Sequence, residues 1–363
     1  MVAFRYEAWD EDFLRRLREQ ARLWDLFRKL LLRADGSVEQ ALRWLENLKE
    51  RGYLDPAADL EGFARALEKE GIISSEAGFP TLAPRGERMI RADALNRIFD
   101  GLKRGAAGEH RTPHAGEGGE RLPETRPYEF GEDVSALDVQ RTLQNSLLRT
   151  GSELRLGEQD FEVNETEHLT SCATVLLLDI SHSMVLYGED RITPAKTVAL
   201  AMAELIRTRY PKDSLQVCLF GDDAVEVSVK QLPYVSAGPY HTNTRAALRL
   251  AQRLLLRKKH PNKQIFMVTD GKPSAITEEG RLYKNPFGLD PRIVGATLEE
   301  AAACRRRRIV VTTFMLTREP SLVDFVNKLT RVARGRAYFS SVEDLGESVF
   351  VDYLRNRRKK LGR

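Results

Sequence analysis

The chain has 363 residues, with 57 lysines and arginines against 53 acids, a formal charge of +4, and 42% hydrophobic and 30% charged residues. This length suggests two or three domains, and the apolar fraction excludes wholesale disorder. The apolar run Ala173–Leu178 falls far short of the ~20 residues of a membrane span, residues 1–10 lack a signal core, and three scattered cysteines exclude a disulfide framework or C-x-x-C zinc site.

A soluble, cytoplasmic protein is therefore expected. In its first fifty residues Trp9, Trp24 and Trp44 mix with Leu14, Leu17, Leu23, Leu26, Phe27, Leu30 and Leu31 at helical spacing. A second helix carries Leu42, Leu45 and Leu48, with Ser37 as N-cap and Gly52 as stop. A third runs from Leu60 to Gly71 and a fourth over residues 85–102. Residues 1–103 thus read as a helical N-terminal domain with its own aromatic core. The strings Gly71-Ile-Ile and Phe79-Pro-Thr-Leu allow a winged-helix variant, which would open a nucleic-acid reading, although Arg and Glu alternate there and form no single basic face.

Residues 104–127, rich in Gly, Pro and charge, read as a flexible linker. His110 and His114 have the spacing of metal ligands on a helix, but the glycines and Pro113 argue against that helix. Residues 128–170 are expected to form an extension packing on the following domain. It comprises a helix from Ser135 to Arg149 with Leu137, Val139, Leu143, Leu147 and Leu148 inward, then a hairpin Leu154–Val163 turning at Gly157-Glu158.

Over residues 171–350, continuous apolar strands alternate with helices. Strands are expected at Thr174–Leu178, Leu215–Phe220, Val225–Val229, Ile265–Val268, Ile309–Leu316 and Ala337–Phe339. Helices are expected from Thr193-Pro194 to Tyr210, and over 244–256, 296–307 and 320–333. The pattern predicts an α/β fold, a doubly wound, mostly parallel sheet with helices on both faces. Residues 351–363 form a basic tail, with Arg355, Arg357, Arg358, Lys359, Lys360 and Arg363 against Asp352 alone.

In such a sheet, function gathers beyond the carboxyl ends of the strands. One strand ends in Asp179-Ile-Ser181-His-Ser183, another in Thr269-Asp270-Gly271, and Tyr240-His-Thr242-Asn-Thr244 precedes a helix. Carboxylate and hydroxyl oxygens converging at one sheet edge describe a hard-cation site of the magnesium type. Two carboxylates and three hydroxyls leave a dication under-coordinated and electrophilic toward an outside carboxylate, which suits adhesion better than hydrolysis.

Asp179-x-Ser181-x-Ser183, Thr242 and Asp270 resemble the metal-ion-dependent adhesion site of von Willebrand factor A (VWA) domains, over roughly residues 170–350. Tyr240-His241 stands where that family usually has Gly-Gly. The resemblance implies Ser181, Ser183 and Thr242 as direct ligands of Mg2+, or of Mn2+ or Ca2+ in its place, with Asp179 and Asp270 acting through waters. Phe4–Asp10, Tyr128–Gly131 and Asp160–Glu167 look similar to bacterial VWA proteins of the magnesium-chelatase D-subunit and CoxE-like group. That similarity implies an adaptor or co-chaperone of an AAA+ ATPase of the MoxR or chelatase type.

No enzyme is expected. A P-loop is missing, because Gly271-Lys-Pro-Ser274 lacks the first glycine and a proline displaces the serine. A haloacid-dehalogenase-type phosphatase needs a second Asp where Ser181 stands, and no Gly-x-Ser-x-Gly elbow is present. His182 and His241 are expected only to line the rim, and Asp222-Asp223 to form a turn. The alternative function is a nucleic-acid-binding protein using the winged-helix-like domain and the basic tail.

Overall fold

The computed structural model describes residues 11–76, 79–104, 119–128, 137–151, 156–168, 171–270, 272–285, 287–317, 319–341 and 344–357. It divides into two compact units, residues 1–105 with 173–349, and residues 106–172 with 350–363.

The first unit begins with α1 (Glu11–Arg33), α2 (Val38–Glu50) and α3 (Leu60–Lys69), a hairpin of β1 (Ile73–Glu76) and β2 (Phe79–Leu82), and α4 (Pro84–Arg104). The helix starts follow the sequence. Ser37 Oγ accepts from Gln40 N–H, and Asp59 accepts from Gly62 N–H. The centre of this module is Phe27, fully buried, which stacks on Trp24 and meets Phe63 edge-on, each at 5.9 Å. Trp24 and Trp44 are only half-buried, and Trp9 lies outside the described residues.

The second unit contains β3 (Gly119–Pro127), α5 (Val139–Thr150) and β4 (Glu162–His168). β3 pairs antiparallel with β4, so residues 119–127 are not a linker; the remaining residues expected there, His110 and His114 included, lie outside the described ones. The expected hairpin at Gly157-Glu158 is replaced by a 3-10 turn, Glu158–Asp160, because the partner of β4 is β3.

Helix α5 is turned over relative to expectation. Thr142 and Ser146 are buried, while Val139, Leu147 and Leu148 are exposed. Polar bonds set this face. Thr142 Oγ1 accepts from Glu162 N–H at 3.1 Å, and Arg149 donates twice to Asp160 at 2.9 and 2.7 Å. The guanidinium and the Gly157 N–H hold the Asp160 carboxyl down at about 2. Leu148→Gln should therefore change the urea midpoint negligibly, within about 0.5 kcal/mol, whereas a core leucine would cost several times more.

The rest of the first unit is the doubly wound domain. It comprises β5 (Cys172–Asp179), α6 (Ile192–Arg209), β6 (Ser214–Phe220), β7 (Ala224–Val227), α7 (Thr244–Leu256) and β8 (Asn262–Thr269). A hairpin of β9 (Ala275–Glu278) and β10 (Arg281–Lys284) follows, then α8 (Pro291–Arg306), β11 (Val310–Met315), α9 (Pro320–Ala333) and β12 (Arg336–Phe339); α10 (Leu345–Arg357) begins in this unit and ends in the second, to which residues 350–363 belong. The sheet order is β12-β11-β8-β5-β6-β7. The pairs β5/β6, β8/β11 and β11/β12 are parallel, and β7 runs antiparallel at the edge. Side-chain bonds Gln264–Thr174 and Thr269–Asp179, one near each end, align β8 with β5 in the same direction.

Every residue of β5 is buried, as a central strand covered on both faces requires. Val175, Leu177, Ile265, Met267 and Val311 pack with Leu248, Cys304 and Leu329 of α7, α8 and α9 on one face. Their strand neighbours Leu176, Leu178, Phe266 and Phe314 point to the opposite face, by the two-residue period. Helix α6 starts at Ile192, two residues before Pro194, the first helical position expected with Thr193 as N-cap, and Asp190 Oδ1 accepts from Thr193 N–H. The tail expected from residue 351 is helical to Arg357; its remainder lies outside the described residues.

The helical module is no separate body. Lys196 of α6 is wholly buried, and its Nζ donates to Leu32 O (2.7 Å), Val235 O (2.8 Å) and Asp35 Oδ1 (2.9 Å). Arg33 pairs with Asp190, and Arg91 with Glu204. Gly36, at φ +79°, lies against the Tyr234 ring, where a Cβ would come within 2.3 Å of a ring carbon. Residues 1–104 and 173–349 therefore share one fold, against the expectation of distinct domains 1–103 and 171–350.

Candidate metal centre

The strand order reverses at β5: the chain leaves it for β6 on one side and returns at β8 on the other. The crevice beyond the carboxyl ends of β5 and β8 is thus the topological switch point, where open α/β sheets bind ligands. Asp179 closes β5 and Asp270 follows β8 directly.

Hydrogen bonds join Asp179, Ser181, Ser183 and Asp270 there, and Thr242 lines the same cleft. Asp179 is fully buried; its Oδ1 accepts from Ser181 N–H at 2.9 Å and its Oδ2 from the Thr269 hydroxyl at 2.6 Å. Ser181 Oγ lies 3.1 Å from Ser183 Oγ, and Ser183 Oγ donates to Asp270 Oδ1 at 2.7 Å. Thr242 is held through its backbone, its N–H donating to Ser274 Oγ at 3.0 Å and its carbonyl accepting from Ser274 and Ala275. Ser181, Ser183, Thr242 and Asp270 line one cleft of about 610 Å3, with Arg191, Lys272 and Glu319 among its other walls.

Three contributors carried no sequence signal. Arg191, just before α6, donates to Asp270 Oδ2 at 3.1 Å. Thr269 and Ser274 hold Asp179 and the Thr242 loop. His182 and His241 line the cleft as expected. Asp222 sits in the β6–β7 turn, as expected, and also acts as a tie, accepting from His241 N–H at 2.7 Å and from Lys284 Nζ at 2.9 Å.

Burial and the nearby charge of Asp270 push the Asp179 carboxyl up to about 7. Burial also raises Asp270, against the Ser183 and Arg191 bonds. Of the two buried acids, Asp270 is paired with the Arg191 guanidinium, which also holds Glu189, and Asp179 has only hydrogen-bond partners. Among the described residues no group of three or more His, Cys, Asp or Glu side chains that could hold a metal gathers; the oxygens at this cleft are those of carboxylates and hydroxyls. Such oxygens suit magnesium rather than zinc.

Sheet order, switch-point site and flanking helices define a VWA-domain protein. The chain belongs to the Rv0959-like protein family: its residues 172–354 match the family's vWA domain and residues 120–166 the family's third domain. It is 35% identical over 314 residues to the uncharacterized protein Rv0959 of Mycobacterium tuberculosis, a match covering 84% of this chain and 46% of that protein. The chain thus spans about half the length of the curated relatives it matches. Similar solved structures include the PilB minor pilin from Streptococcus sanguinis, with TM-score 0.44, 14% identity, and 55% of this chain and 64% of that one covered. Another is the vWF domain of the type V pili tip protein Mfa5 from Porphyromonas gingivalis, with TM-score 0.40, 11% identity, and 54% and 98% covered.

Proposed function

We propose that the chain is a protein-interaction module in which Asp179, Ser181, Ser183, Thr242 and Asp270 hold Mg2+, leaving an open position for a partner's carboxylate. The bound ion would supply Lewis acidity toward that carboxylate. The observation that carries this reading is the hydrogen-bonded row Asp179–Ser181–Ser183–Asp270, which joins residues 87 positions apart at the switch point. Arg191, Lys272 and Glu319 line the same cleft wall. The role in this reading is binding through the ion, with Ser183 and Arg191 both bonded to Asp270.

The partner in this reading is an AAA+ ATPase of the MoxR or magnesium-chelatase type, or its client, met in the cytoplasm, with this chain as adaptor or co-chaperone. A nucleic-acid role for the N-terminal module finds no support in its hairpin-flanking helix α3, whose exposed Glu61 and Glu68 balance Arg65 and Lys69. The test is affinity capture from the source cell with the full chain as bait. An AAA+ ATPase should be recovered with magnesium and lost with chelator or with Asp179→Ala. Recovery that ignores both would sink the metal-dependent reading.

A further inference from the structure

We propose that the sheet edge opposite the cleft is a docking surface for an anionic lipid bilayer. Helices α6, α7, α8 and α9 all run from the cleft edge to this one, and each delivers cations just before the next strand. Segments 207–213, 256–263, 305–310 and 331–336 hold fourteen lysines and arginines against one acid, Asp213, which is buried. His260 Nε2 lies 3.2 Å from Lys212 O, which joins the α7–β8 and α6–β6 turns on this side.

Cations at helix C-termini compensate the helix dipole, so a structural explanation has to be weighed first. Four helix ends carry together about two negative charges. Fourteen bases exceed that several times over. Arg207 is used by Glu204, and Arg307 by Gln252. Arg209, Lys212, Arg257, Lys259, Arg305 and Arg306 are exposed and pair with no acid among the described residues. The surplus faces outward.

The form of the patch selects the occupant. From β12 to β6 it follows the starts of five neighbouring strands, a band about 19 Å wide. Leu256 and Val310 project from it, 51% and 37% exposed, so apolar tips stand among the bases as on interfacial surfaces. Nucleic-acid readers typically present a helix N-terminus, a groove-filling element or stacked aromatics to the phosphates. Here four helices present their C-termini, and Tyr210 is the aromatic of the four segments. A cluster of more than eight bases with mobile lipid headgroups as counter-charge fits this arrangement. No described helix is long and apolar enough to cross the membrane, so the contact is peripheral.

The test is co-sedimentation of the full chain with phosphatidylcholine vesicles, with and without about one-third phosphatidylglycerol. Binding should require the anionic lipid and fall steeply with salt. Arg305→Ser combined with Arg306→Ser, and separately Arg257→Ser with Lys259→Ser, should each lower the partition coefficient about tenfold at an unchanged melting temperature. The use of two independent pairs keeps the result readable if one fails to fold. Replacing Arg358, Lys359 and Lys360 by serine should leave binding within about threefold. Equal binding to both vesicles, no binding, undiminished binding by the folded pairs, or loss only in the tail variant would overturn the proposal. So would duplex DNA that strips the protein from vesicles while present at less phosphate than the lipid, which would assign the surface to nucleic acid.

Discussion

Replacing Lys196 by methionine should cost about 2–4 kcal/mol of unfolding free energy, read as a lower urea midpoint at unchanged slope. Its ammonium is the donor for two backbone carbonyls, Leu32 O and Val235 O, that belong to different parts of the chain. Methionine fills the space and leaves both acceptors unsatisfied. The third partner, Asp35, is 43% exposed and remains hydrated without the lysine. Asp35→Asn should therefore cost less than about 1 kcal/mol. Burial lowers the Lys196 pKa while the Asp35 bond opposes the fall, so this lysine is held by its acceptors and not by free solvation. A loss below about 1 kcal/mol for the methionine variant would show that the latch contributes little.

Asp270→Ala should abolish stabilisation by magnesium. For a site that binds only the folded chain, a hundredfold excess over Kd adds about 2.7 kcal/mol, and the variant should forfeit all of it. Without metal, the same variant relieves the repulsion on Asp179 but also removes the acceptor of Ser183 and Arg191, so the magnesium effect is read as the shift each protein shows on adding the ion. The pH dependence has a definite sign. Asp179 sits near 7 in the folded chain against its ordinary 3.8, so its contribution to stability is complete below about pH 4 and is lost as pH rises through 7. Magnesium needs the carboxylate, so its apparent affinity should rise over that same upper range. Calorimetry in magnesium titrations at about pH 6 and about pH 8 would decide; an affinity that falls with pH would exclude Asp179 from the site.

The fold of the second half is legible because burial on both faces writes strands as continuous apolar runs, of which Val175–Leu178 is the clearest. The cleft is legible because Asp179 ends one such strand and Asp270 follows another directly, beyond the carboxyl edge of the sheet. Arg191 is not: an arginine before a helix has no spacing that reveals its carboxylate 79 residues on. The β9–β10 hairpin is missed because it is short and half-exposed, although Glu279-Gly280, both at positive φ, is the turn chemistry such hairpins use. β3 reads as linker because all its residues but Leu122 are Gly, Arg, Glu, Pro or Thr, whose place in a strand is set by pairing with β4. The orientation of α5 is misread because hydrophobic spacing assumes the apolar side goes inward, and Asp160 with its Arg149 partner outweighs that stripe.

The family match from residue 172 to 354 marks where sequence similarity lies, not where this polypeptide can be cut. A fragment cloned to begin at Cys172 would discard Leu32 and Asp35 and leave the Lys196 ammonium with one of its three acceptors. It would also strip the α1 and α4 side from α6 and bare Glu204 beside the missing Arg91. Plasmids intended to yield the VWA half alone should encode residues 1–104 as well, if need be as a second co-expressed chain.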